Sequence, residues 1–166
     1  MRQDIKNKIL EIFYEYPDKE FTIREVAKLT SVPRATVHKE LVKLKKQKLI
    51  TKDNLAETNL IFKTKKINYY TEEIVKCGLI DKIISELNPS CIILFGSIRK
   101  GDSVKDSDID LFIESPLKKE LNVREFERKL KHKIQIFVEH DISKLNEELF
   151  NNVVNGIKLF GSFKIK

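Results

Sequence analysis

The stretch LFGSIRKGDSVKDSDIDLFIE, residues 94–114, limits the possible folds more than any other part of the chain. It begins at the end of an apolar run, Cys91–Phe95, which breaks at Gly96-Ser97. Ten residues follow before Asp108-Ile109-Asp110 opens a second apolar run that reaches Ile113. Short apolar runs bounded in this way predict two buried strands, with the glycine turning the chain at the end of the first. Residues i and i+2 of a strand share a face, so Asp108 and Asp110 project together, about 7 Å apart along the chain. Carboxylates so placed suit a hard divalent cation, Mg2+ or Mn2+, which takes oxygen ligands and leaves room for substrate phosphates. With two ions about 3.5–4 Å apart, both the attacking and the leaving oxygen of a phosphoryl displacement are stabilised. Gly96 lets backbone approach a phosphate, and Ser97 offers a hydroxyl and an amide near the start of a following helix. Arg99 and Lys100 are placed to neutralise a triphosphate from the side.

Strand and helix signals alternate around this stretch. Ile80, Ile83, Ile84 and Leu87 give residues 71–87 the apolar face of one or two helices, with a break at Gly78. After 109–113, closed by Ser115-Pro116, come a helix marked by Val123, Phe126 and Leu130 and a strand at 134–138. A last helix carries Leu145, Leu149 and Val153, and residues 157–165 finish as an edge strand. The expectation is a small α/β domain with a mixed sheet over residues 90–166, reached through a helical linker at 67–89.

Charge separates this part from what precedes it. The net charge of the 166 residues is +7, and residues 1–66 hold all of it, with 16 Lys/Arg against 9 Asp/Glu. Residues 67–166 hold 16 of each. A basic first module points to a polyanionic partner. Its pattern is three short helices and a hairpin. Ile5, Ile9, Ile12 and Phe13 form the first stripe, ended by Pro17-Asp18. Thr22 with Glu25 makes a capping box, followed by Val26 and Leu29 as the buried face of a second helix. Pro33 opens a third helix with Val37, Leu41 and Leu44 inward. Residues 49–51 and 59–63 are β-capable and joined by a polar stretch, which predicts a hairpin.

The spacing of hydrophobic positions in FTIREVAKLTSVPRATVHKELVKLKKQKLI resembles the winged helix-turn-helix family. That resemblance implies that double-stranded DNA binds residues 1–66. The third helix would enter the major groove with Arg34, Thr36, Lys39 and Lys43, and Lys52 in the hairpin would reach the backbone. The whole chain is then α+β, a winged helix-turn-helix followed by the smaller α/β domain.

Gly96, Ser97, Asp108 and Asp110 fit G-S-x10-D-x-D, and Arg99-Lys100-Gly101 matches part of the Ala-Arg-Gly that accompanies it. In these residues, and in the tail at 155–161, the chain resembles the minimal nucleotidyltransferases of the DNA polymerase β superfamily. The resemblance implies Asp108 and Asp110 as catalytic metal ligands for Mg2+ or Mn2+. It implies Gly96, Ser97 and Lys100 as the nucleotide site for an NTP, ATP foremost, whose nucleotidyl group passes to a hydroxyl acceptor. Small members of that family often pair with toxin proteins, which makes an antitoxin role and a toxin partner part of the expectation, along with a homodimer. The sequence departs from the family at one position. Members carry a third acid on a later strand, where this chain has Gln135, and a glutamine neither accepts a proton as a base nor binds a metal as a charge. Glu139 shares the strand face of Gln135 but lies about 13 Å further along. The alternative to an enzyme is therefore a degenerate nucleotidyltransferase acting as a transcriptional regulator or interaction module.

No apolar run approaches the roughly 20 residues of a membrane helix, and Met1-Arg2-Gln3-Asp4 does not start a signal peptide. Cys77 and Cys91 show no paired spacing and lie in apolar segments, which suits core thiols in a cytoplasmic protein. His38, His132 and His140 receive no role from the sequence.

Overall fold

The computed structural model describes residues 2–164; Met1, Ile165 and Lys166 lie outside the described residues. The chain divides into two units, Met1–Lys66 and Ile67–Lys166.

In the first unit the predicted stripe forms α1, Arg2–Glu15, which buries Ile9, Ile12 and Phe13. Helix α2, Ile23–Thr30, starts at the capping box: Glu25 N–H donates to Thr22 Oγ1, and Thr22 N–H donates to the Glu25 carboxylate. Val26 is buried, but Leu29 is 59% exposed. The inward face of α2 runs through Ile23, Val26 and Thr30, and at about 100° per residue Leu29 falls well outside it. Helix α3, Arg34–Lys46, follows Pro33 and buries Val37, Leu41 and Leu44.

The hairpin is shorter than the sequence suggests. Ile50 bridges to Ala56, Thr51 N–H donates to Leu55 O and Glu57 N–H donates to Leu49 O. Phe21 joins this turn, donating from its N–H to Asn54 O and accepting from Asn54 Nδ2. Residues 59–63, expected as the second arm, instead begin α4, Leu60–Lys76. Asn59 Oδ1 accepts from Phe62 N–H at the start of that helix. Phe62, Lys66, Tyr70 and Ile74 recur every fourth residue and all are buried, so helical spacing overrides the β-propensity of Leu60-Ile61-Phe62.

In the second unit Gly78, at φ +89°, separates α4 from α5, Leu79–Leu87. Then come β1, Cys91–Phe95, the short α6, Gly96–Lys100, and β2, Ile109–Glu114. Helix α7, Arg124–Leu130, leads to β3, Ile134–Glu139. After a 3₁₀ turn at Ile142–Lys144 the chain forms α8, Glu147–Val154, and β4, Ile157–Gly161. The last strand thus stops short of residue 165, which lies outside the described residues. Among the described residues the sheet has four strands in the order β3-β2-β1-β4. It is mixed: β1 pairs antiparallel with β2 and with β4, whereas β2 and β3 run parallel.

Strand alternation splits the apolar side chains between the two sheet faces. Cys91, Ile93, Phe95 and Phe112 form one core with Ile142 and Val153, and Phe137, Leu145 and Leu149 pack against it. Ile92, Leu94, Ile109, Leu111 and Ile113 are buried on the opposite face. A strand apolar on both faces needs cover on both, which explains the unbroken hydrophobic run of β1. Among the described residues no helix is long and apolar enough to cross a membrane.

Candidate functional site

The polar cluster sits where β1 ends and β2 begins. Phe95, the last residue of β1, pairs with Asp110, so Gly96 turns directly against that carboxylate. Gly96 has φ +73°, and a Cβ there would lie 1.9 Å from Asp110 Oδ2. Both the backbone conformation and the close approach require glycine.

The ten intervening residues fold back tightly. Helix α6 is closed by Gly101, at φ +74°, whose N–H donates to Ile98 O. Asp102 N–H donates to Ser97 O, and Val104 N–H donates to Ser107 Oγ. His132, buried at the approach to β3, fixes the end of the loop: its Nδ1–H donates to the Ser107 carbonyl at 2.7 Å. A carbonyl only accepts, so this contact sets the imidazole tautomer. Tyr70 packs edge-on against the same ring, with centroids 5.3 Å apart.

Asp110 lies on the sheet face that also carries Phe112, and Asp108, directly before β2, meets the side chain of Gln135, the strand partner of Asp110. Burial, and then the charge of Asp108, push the Asp110 carboxyl above the ordinary aspartate range. A cation bound beside the Asp110 carboxylate would offset the cost of burying its charge next to Asp108. Gln135 is the β3 partner of Asp110 in the parallel register, and its Nε2–H donates to Asp108 Oδ2 at 2.5 Å. The β3 position that could supply a third acid is therefore occupied by an amide donor. Beneath it the rings of Phe95 and Phe137 meet at 5.6 Å between centroids.

Glu139 does not take the place of that acid. It pairs with Glu114 at the far end of β2 and β3, and its carboxylate holds Lys118 Nζ at 3.0 Å. The His140 N–H and then Lys118 keep its carboxyl below the usual glutamate range. Among the described residues no group of three or more His, Cys, Asp and Glu is arranged to hold a metal. The donor set at the cluster is thus two carboxylates and one amide. Ser97 is half-buried in the first turn of α6, and Lys100 is exposed in its last.

Sequence reasoning passed over His132. The signal lies in the parallel pairing: Ile109 is matched to Ile134, and stepping two residues back on each strand brings Ser107 to His132.

In the first unit Arg34, Lys39 and Lys43 are exposed along α3, and Thr36 is half-buried. Thr36, Lys39 and Lys43 line a groove of about 510 Å³ together with Ile5, Lys6, Glu40 and Gln47. Lys43 Nζ is held by Glu40 at 2.8 Å, and Lys6 Nζ donates to Gln47 Oε1. Lys52 is exposed in the turn between Ile50 and Ala56, and its carbonyl accepts from Lys45 Nζ at 2.7 Å.

Residues 76–152 match the family model for the nucleotidyltransferase domain. The matched span runs from the end of α4 into α8 and includes β1, Gly96, both aspartates and β3. A nucleotidyltransferase domain is therefore present in the second unit. No curated protein and no solved structure matches the chain.

Proposed function

We propose that the chain is a DNA-binding protein whose second unit binds a nucleoside triphosphate, ATP foremost, with Mg2+ or Mn2+. The convergence of Gly96, Asp108 and Asp110 at one strand end carries this reading. Asp108 and Asp110 hold the cation through carboxylate oxygens, and the bound ion supplies charge neutralisation for the phosphates. Gly96 leaves space for the phosphate chain, while the Ser97 hydroxyl and the Lys100 ammonium offer it donors. The activity such a site serves is transfer of the nucleotidyl group to a hydroxyl on protein, nucleic acid or a small molecule. In that step the acceptor oxygen bonds to the α-phosphorus, pyrophosphate leaves, and the hydroxyl proton passes to a base.

One observation favours a second reading, in which nucleotide binding persists without transfer. The amide at position 135 accepts no proton, and its N–H is directed at Asp108. The domain then serves as the nucleotide-sensing half of a DNA-binding regulator, or as an antitoxin-type module that engages a toxin protein or a second copy of the chain. Incubation with each of the four labelled NTPs, Mg2+ and cell lysate separates the readings. An acceptor labelled by the native protein and left unlabelled by Asp108→Ala supports transfer; labelling absent with all four supports the regulator.

The DNA-binding part of the proposal rests on the segregated charge of residues 1–66 and on the exposed α3 positions Arg34 and Lys39. The pairing of Lys43 with Glu40 leaves Arg34 and Lys39 as the stronger phosphate or base contacts, with Thr36 beside them and Lys52 on the turn. Duplex binding whose affinity falls steeply with salt is the expected behaviour.

A further inference from the structure

The donor set around Asp108 carries an inference about how many cations this site holds. A two-ion site for phosphoryl transfer asks each protein carboxylate for several oxygen contacts, because Mg2+ demands near-octahedral oxygen coordination and two such ions repel. Here Asp108 Oδ2 already accepts from the Gln135 amide, which leaves Asp108 Oδ1 and the Asp110 carboxylate as anionic ligands. The amide directs a donor, not an acceptor, at the aspartate pair, and its own carbonyl is uncharged. Glu139, the other acid on that face of β3, is held by Lys118 at the opposite strand end. Among the described residues no third acid, histidine or cysteine joins the cluster.

We infer that Gln135 makes this a one-cation site: the ion that travels with the nucleotide triphosphate binds, and the ion that would activate an acceptor hydroxyl does not. Gln135 acts as a specificity-determining residue for metal number, by withholding charge and by occupying Asp108 Oδ2. The inference rests on the nucleotide-and-cation reading above and adds the stoichiometry to it. Position 135 is exposed, so solvent screens the repulsion between a carboxylate introduced there and the aspartate pair.

The test counts Mn2+ bound per full-length chain by electron paramagnetic resonance, at saturating α,β-methylene ATP. The native protein is expected to hold one Mn2+, and Gln135→Glu, of the same shape, to hold two with the line broadening of ions in close proximity. Gln135→Asp provides a second route to the same charge, and Gln135→Ala, which adds no charge, is expected to stay at one. Two ions on the native chain overturn the inference while leaving nucleotide binding intact. So does a count of one in both carboxylate variants. Neither Mn2+ nor analogue bound to the native chain overturns the nucleotide reading itself.

Discussion

The Asp110 carboxylate occupies the space where a side chain on Gly96 would begin, with Oδ2 1.9 Å from an ideal Cβ. The glycine of the turn and the second aspartate of the pair are thus one sterically coupled unit. Replacing the first displaces the second.

Gly96→Ala is expected to cost stability and binding together. Alanine in the left-handed region is strained by about 1–2 kcal/mol, and relief of the clash moves a carboxylate proposed as a metal ligand. Urea denaturation should show the loss of stability, and calorimetric titration with Mn2+ should show weakened binding. Native-like Mn2+ affinity in a folded Gly96→Ala protein would separate Gly96 from the site.

The raised pKa of Asp110 gives a pH dependence of definite sign. The folded chain binds this proton more tightly than an unfolded one, whose aspartate has the ordinary value near 3.8. Between those two values stability therefore falls as pH rises, and above both the penalty of the buried charge is complete. Asp110→Asn is expected to be more stable than the native metal-free protein at neutral pH, by a margin that its partial solvation keeps small. The difference should shrink as pH drops through the folded pKa of Asp110. Thermal unfolding from pH 4 to 8 measures it, and an asparagine variant less stable throughout that range would contradict the assignment.

His132 supports the start of β2 from below, through Ser107. His132→Ala leaves the Ser107 carbonyl without this donor and removes the ring that packs on Tyr70. A loss of about 2–3 kcal/mol is expected, combining a broken buried hydrogen bond with a cavity. Metal affinity should fall by about 10-fold or more, as for other residues that orient ligands without touching the ion. Asparagine at 132, which keeps a donor, should recover part of the affinity; equal loss with alanine and asparagine would reduce His132 to a packing residue.

On the DNA side, Arg34→Ala and Lys39→Ala are each expected to weaken duplex binding and to lower the slope of log affinity against log salt by about 1. Lys43→Ala should change it less, because Glu40 already holds that ammonium. Fluorescence anisotropy over a salt series resolves the three, and an unchanged slope for both Arg34 and Lys39 would move the interface elsewhere.

Parts of this structure were legible because their signals are local. The run Cys91–Phe95 is apolar without a break and ends at a glycine, and β1 has those bounds. Asp110 and Phe112 share a face by the two-residue period of any strand. The start of α4 was not legible, since Leu60-Ile61-Phe62 reads as strand until the burial of Phe62 against Tyr14 is known. Leu29 misled for a similar reason: its spacing from Val26 fits a helix face, but the core lies on another side of α2. The contacts of Gln135 with Asp108 and of His132 with Ser107 depend on β3 running parallel beside β2. That pairing is a long-range choice which no residue in either strand announces. Resemblance pointed to position 135, but only the register shows what its amide touches.

The sheet order places Asp110 and Gln135 on strands of different standing. Asp110 lies near the start of β2, with Asp108 directly before that strand; β2 is flanked on both sides by β1 and β3, whereas Gln135 lies exposed on β3 at the edge of the sheet. Asp110 is thus set in the interior of the sheet, and position 135 lies at its margin, open to solvent. In the proposed reading, the difference between transfer and binding alone thus lies with one surface side chain at the sheet's margin, beside an interior that need not be rebuilt.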